Sequence, residues 1–123
     1  MMEIDFSSST PIYQQIRDQV ILALADGELS LGEELPSVRS MSDEMGVNMM
    51  TVSKSYQLLK DEGIVESDRR RGTKIVDEIV TDVQKEAQID EALTLLIAES
   101  AVRHLSSQKL KDLIDNVFAN VKG

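Results

Sequence analysis

Gly46-Val47-Asn48-Met49-Met50-Thr51-Val52-Ser53-Lys54-Ser55-Tyr56 is the stretch whose reading decides the fold. Gly46 stops one helix, because glycine enters the left-handed conformation that ends helices without a Cβ clash. Asn48 can cap the next helix through its side-chain oxygen. Only Gly46-Val47 then separates the two, and so short a turn is what a helix-turn-helix requires. The helix that follows sorts by face. Val52, Tyr56 and Leu59 are spaced by four and three and are expected to pack inward, while Met49, Met50, Ser53, Lys54 and Gln57 fall on the other side. An outer face with methionines and no acid is unusual for a merely solvated surface. It suits base-edge reading and apolar contact with thymine methyls.

Upstream, Leu35-Pro36-Ser37 opens the preceding helix with Ser37 near its cap, and Val38, Met41 and Met45 share one face. Ser30 to Glu34 reads as a loop. Before it, Ile12, Ile16, Val20 and Leu24, with Tyr13 and Leu22 nearby, form the apolar stripe of a scaffold helix. Thr10 is expected to cap that helix with Pro11 at its first position, and Gly27 to end it. Downstream, Gly63 closes the central helix. Ile64-Val65-Glu66-Ser67 and Thr73-Lys74-Ile75-Val76 are β-prone runs joined by Asp68-Arg69-Arg70-Arg71-Gly72. Arginines at such a hairpin tip can reach phosphates or an adjacent minor groove. The order predicts a mainly α fold with a small β-hairpin wing, a winged helix-turn-helix over residues 1–76.

From Asp77 the pattern changes. Ile89, Leu93, Leu96, Ile97 and Ala101 predict one long helix or two joined pieces running to about Leu105, with Asp77, Glu78 and Asp82 near a start that favours negative charge. Ser106 or Ser107 is expected to cap a last helix bearing Leu110, Leu113, Ile114, Val117 and Phe118 on one face. These stripes are too large to hide on so small a domain. Pairing with the same helices of a second copy is the natural solution, so residues 77–123 are expected to form a two-helix dimerisation unit. Folding back onto the first domain is the alternative. His104 lies at the edge of the apolar face and is expected to be a packed or hydrogen-bonded interface residue rather than a metal ligand or pH sensor.

At 123 residues with 41% hydrophobic side chains, the chain can build a core; with aromatics at only 3%, that core is aliphatic and methionine-rich. There is no cysteine, one histidine, no phosphate-binding glycine loop and no paired catalytic motif, so neither an enzyme nor a metal or cofactor site is expected. No apolar run approaches the roughly 20 residues of a membrane span. Met1 to Ser9 lacks the basic-then-apolar order of a signal peptide, which makes the cytoplasm the expected compartment. The net charge of −9 argues against a nucleic-acid partner at first sight. Locally the balance differs: no acid lies from Met45 to Lys60, and Arg69, Arg70, Arg71 and Lys74 follow closely.

Pro11-Ile12-Tyr13-Gln14-Gln15-Ile16, Leu35-Pro36-Ser37-Val38-Arg39, Gly46-Val47-Asn48 with Thr51-Val52 and Tyr56, Glu62-Gly63-Ile64-Val65-Glu66-Ser67 and Arg71-Gly72-Thr73 together resemble the GntR family of bacterial transcriptional regulators. The resemblance spans about residues 10–76, and the short C-terminal part is similar to that of the YtrA-type subfamily, whose paired helices dimerise. It implies a homodimer, expected to repress, bound to a palindromic operator in double-stranded DNA. The recognition helix, about 48–61, would enter the major groove, and the wing, 68–72, would meet flanking backbone or minor groove. By position, Arg39 would meet phosphate or a groove edge, and Asn48 and Thr51 would anchor the helix start to backbone. Met49, Ser53 and Lys54 would face bases or phosphates, and Arg71-Gly72, beside Arg69 and Arg70, would form the wing contact. The dimer would rest on Leu93, Leu96, Ile97, Leu110, Leu113, Ile114, Val117 and Phe118. Three positions depart from the family pattern. Met49 and Met50 replace the polar residues or proline common there, Ser53 stands where some relatives have a base-reading arginine, and Arg70 replaces a frequent turn glycine. The sequence names no small-molecule effector. A winged-helix protein-interaction module without direct DNA binding is the other reading, favoured by the overall acidity.

Overall fold

The computed structural model describes residues 3–70 and 72–121. In chain order it contains α1 (Ile12–Asp26), α2 (Val38–Met45), α3 (Met49–Asp61), β1 (Val65–Asp68), β2 (Gly72–Ile75), α4 (Val83–Val102) and α5 (Ser107–Ala119). The chain divides into two compact units, one running to Ile79 and one beginning at Val80.

The first unit is held by α1 and α2 packed on α3, with β1 against the end of α3. Ile16 and Val20 of α1, Met41 of α2, Val52, Tyr56 and Leu59 of α3, and Val65 and Ile75 of the hairpin are buried together with Leu35. Each such side chain removed from water stabilises the unit by about 1.5–3 kcal/mol before entropy is charged against it. The inward set expected on α3 is therefore the observed one. Ser55 joins it, fully buried, and its hydroxyl donates to the Tyr13 carbonyl at 2.7 Å. A small side chain there lets α1 and α3 approach closely. Arg17 of α1 closes the same interface by pairing with Glu62.

Local chemistry sets the helix ends. Ser37 caps α2 by accepting from the Ser40 N–H at 3.0 Å, and Gly46 ends it at φ +68°. Asn48 caps α3, its Oδ1 accepting from the Met50 N–H at 2.6 Å. Asp82 caps α4 and Ser106 caps α5. The expected cap of α1 is different: Thr10 does not serve, and Pro11 occupies the position with no side-chain cap bond. The Pro11 carbonyl accepts from Gln14 and Gln15, and the Gln15 amide folds back on the Thr10 carbonyl. Leu22, grouped with the α1 stripe in the sequence, is 64% exposed.

β1 and β2 pair antiparallel, Val65 opposite Ile75 and Asp68 opposite Gly72. The segment read as a loop is one, but it is tied to β2 by an isolated β-bridge. Glu34 bridges to Lys74, the Leu35 N–H donates to the Thr73 carbonyl, and the Ile75 N–H donates to the Glu33 carbonyl, both at 2.8 Å. This pairing is nonlocal, so turn chemistry in the sequence does not announce it.

In the second unit neither helix buries a side chain. α4 stops at Val102, short of the expected Leu105, because His104 adopts φ +63°. His104 is exposed within the chain and lies in the backbone turn between the helices.

Candidate nucleic-acid interface

α3 presents Met49, Met50, Ser53, Lys54 and Gln57 outward, with Met50 80% exposed. Large apolar side chains held in water at a helix start are costly unless a partner covers them. No acid stands in the first turn of α3, so the positive end of its dipole faces outward unopposed. The Lys54 ammonium lies 4.0 Å over the ring of Tyr13, a cation–π contact that holds the charge at the junction of α1 and α3. Tyr13 was not singled out in the sequence for this surface; it looked like one more member of the α1 stripe. Thr51 is half-buried and Asn48 is engaged by its cap bond, so both act on the geometry of the helix start.

Arg39 is exposed in the first turn of α2. At the hairpin, Arg69 and Arg70 are exposed, and the Arg70 N–H donates to the Asp68 carboxylate at 2.8 Å, an Asx-type turn that shapes the tip without glycine. Gly72 has φ +74° and ends the tip in the conformation glycine adopts freely. Arg71 lies outside the described residues. Lys74, counted among the local cations in the sequence, is not available to an anion: it is 7% exposed and pairs with Asp77 at 3.2 Å and Glu66 at 3.6 Å. Among the described residues of the first unit, the exposed positive groups thus lie at the start of α2, along α3 and at the wing tip. Among the described residues no group of His, Cys, Asp and Glu is placed to hold a metal ion, and no helix is long and apolar enough to cross a membrane.

Tyr56 anchors this arrangement from beneath. Its hydroxyl donates to the Pro36 carbonyl at 2.7 Å, which fixes the entry to α2 against α3, and burial pushes its pKa up to about 12. Ser42 supports the turn between the helices by donating its hydroxyl to the Val47 carbonyl.

Residues 12–75 match the family described as bacterial regulatory proteins, gntR family. The HTH-type transcriptional repressor YtrA of Bacillus subtilis (strain 168) is 39% identical over 125 residues, covering 100% of this chain and 96% of that protein. Among solved structures, a transcriptional antiterminator from Listeria monocytogenes EGD-e superposes with a TM-score of 0.89 at 28% identity, covering 95% of this chain and 89% of that one. YtrA from Sulfolobus acidocaldarius, a GntR-family transcription factor, superposes with a TM-score of 0.67 at 37% identity, covering 82% of this chain and 97% of that one. With its winged helix-turn-helix and its likeness to YtrA over the full length, the chain belongs to the GntR family and is a DNA-binding transcriptional regulator.

Proposed function

We propose that this protein acts as a homodimer on a palindromic operator and represses the genes it controls. The single observation that carries this reading is the outer face of α3: acid-free, methionine-bearing, exposed, and opening from a capped N-terminus directly after a tight turn. In this reading α3 enters the major groove. Met49, Met50 and Ser53 meet base edges and thymine methyls, and Lys54 leaves the Tyr13 ring for a phosphate. Arg39 and the wing residues Arg69, Arg70, Arg71 and Gly72 hold flanking backbone or minor groove.

The second unit supplies the symmetry. Leu93, Leu96, Ile97, Leu113, Ile114, Val117 and Phe118 are exposed on α4 and α5, with Leu110 half-buried, and a second copy would cover them. Two recognition helices related by a two-fold axis read an inverted repeat. Repression rather than activation follows the name carried by the Bacillus relative.

Selection of bound duplexes from a random library, followed by sequencing, tests the reading. Enrichment of an inverted repeat is expected, and its half-site spacing should fit one helical turn or a multiple. A folded protein that enriches no duplex would sink direct DNA binding and leave the protein-interaction reading.

A further inference from the structure

The winged unit carries a groove that contains none of the residues assigned to DNA. Its volume is about 990 Å³, within the range of small-molecule sites. Leu22 and Ala23 of α1, Leu29 of the following segment, and Met41 and Met45 of α2 give it an apolar floor. Asp26, Glu28, Glu33, Glu34 and Glu44 ring that floor, and among the described residues no lysine or arginine lines it. Among the described residues, the carboxylates of Glu34 and Glu44 have no hydrogen bond or ion pair. Leu22 stands largely in solvent in the last turns of α1, where a surface helix ordinarily carries a polar side chain.

This combination selects its occupant. A neutral apolar molecule would bring no charge to the carboxylates. An inorganic cation would need them to converge, and among the described residues no such group forms. A second copy meeting this face with its own would set carboxylates against carboxylates. What fits is a cation whose charge is spread over apolar groups, because it gains from the floor and the rim together. The methionines suit it, being flexible and polarisable. We propose that the groove is an effector site for a small lipophilic cation of the quaternary ammonium or phosphonium class.

The walls of the groove connect it to both DNA-reading parts. Met41, Glu44 and Met45 belong to α2, which delivers the chain through Gly46 to α3. Leu35, on the opposite wall, donates its N–H to the Thr73 carbonyl of β2. An occupant that favours one spacing of these walls biases the helix-turn-helix against the wing, which is how binding energy becomes a change in operator affinity. That second half rests on the proposed operator binding.

Tetraphenylphosphonium and tetraphenylborate, nearly equal in shape and opposite in charge, are the probes. The whole protein is titrated with each at physiological salt while methionine methyl resonances are followed. Saturable shifts at Met41 and Met45, but not at Met49 and Met50, are expected from the phosphonium and none from the borate. The double variant Glu34→Gln/Glu44→Gln keeps the groove's shape and should weaken the phosphonium about tenfold. Equal response to both ions, no saturation, or unchanged affinity in the double variant would overturn the site. With the selected duplex, saturating phosphonium should change DNA affinity about fivefold or more. Unchanged affinity of a saturated, DNA-competent protein would overturn the effector role. Should no duplex be selected at all, the DNA reading fails while the methyl titration still decides the site.

Discussion

Ile16, Val20, Val52 and Leu59 of the first unit are fully covered, whereas Leu93, Ile97, Leu113 and Ile114 of the second each leave 42–45% of their surface open. Both sets come from amphipathic helices of similar composition. The difference lies in what the chain itself provides opposite them. α1, α2 and the hairpin close around α3, and no element of the second unit closes around α4 or α5. One unit is thus stabilised by its own contacts. The other leaves its apolar faces open, and in the proposed dimer its stability would depend on concentration.

Leu59→Ala attacks the covered side and should have the largest effect on stability. It should cost the first unit about 2–5 kcal/mol, read by urea unfolding; a loss under 1 kcal/mol would mean the core is less closed than its burial states. Ile114→Asp/Phe118→Asp attacks the open side. It should turn a dimer into a monomer by sedimentation and weaken operator binding about a hundredfold, because two half-sites are no longer engaged together. Retained dimerisation would assign the second unit another role. These two variants should not mimic one another, and equal effects on both readouts would erase the distinction between the units.

Tyr56→Phe removes the hydrogen bond to Pro36 and should cost about 1 kcal/mol near neutral pH. The sign of its pH dependence follows from burial. Raised from an ordinary 10.0 to about 12, the folded phenol holds its proton where the unfolded one loses it. Its contribution is complete below the unfolded value and is lost as pH rises through the folded one. The variant should therefore lose less stability above about pH 10 than the parent. Arg39→Ala should leave stability intact, weaken binding to every duplex by a similar factor, and lower the slope against log salt by about 0.9. An unchanged slope would remove Arg39 from the phosphate contacts. The smallest effect belongs to His104→Gly, which relieves the φ of +63° and should stabilise by about 1 kcal/mol or less, seen as a small rise in Tm at fixed concentration.

Much of the first unit was legible because it is written in local chemistry. The faces of α3 follow from its spacing, and Ser37, Gly46 and Asn48 act where their side chains or lack of one would place them. The exposure of Met49, Ser53 and Lys54 was legible for the same reason. Less legible was whatever depends on a distant partner. Lys74 reads as a solvated cation until Glu66 and Asp77 are brought to it. Ser55 carries no signal of burial until the Tyr13 carbonyl arrives above it. Ser30 to Glu34 read as a loop with no hint of the bonds that β2 brings to it. Leu22 misled in the other direction, since a leucine on a stripe is expected inside and this one opens onto the acid-rimmed groove.

The bridge between Glu34 and Lys74 has a thermodynamic consequence. Because the segment entering α2 is hydrogen-bonded to the base of the wing, the hairpin and the helix-turn-helix are already assembled before any duplex arrives. Little of the binding free energy of this unit is then consumed in ordering its backbone. The heat-capacity change on association should accordingly track the apolar surface covered at the groove, without the larger negative contribution of a segment that folds as it binds.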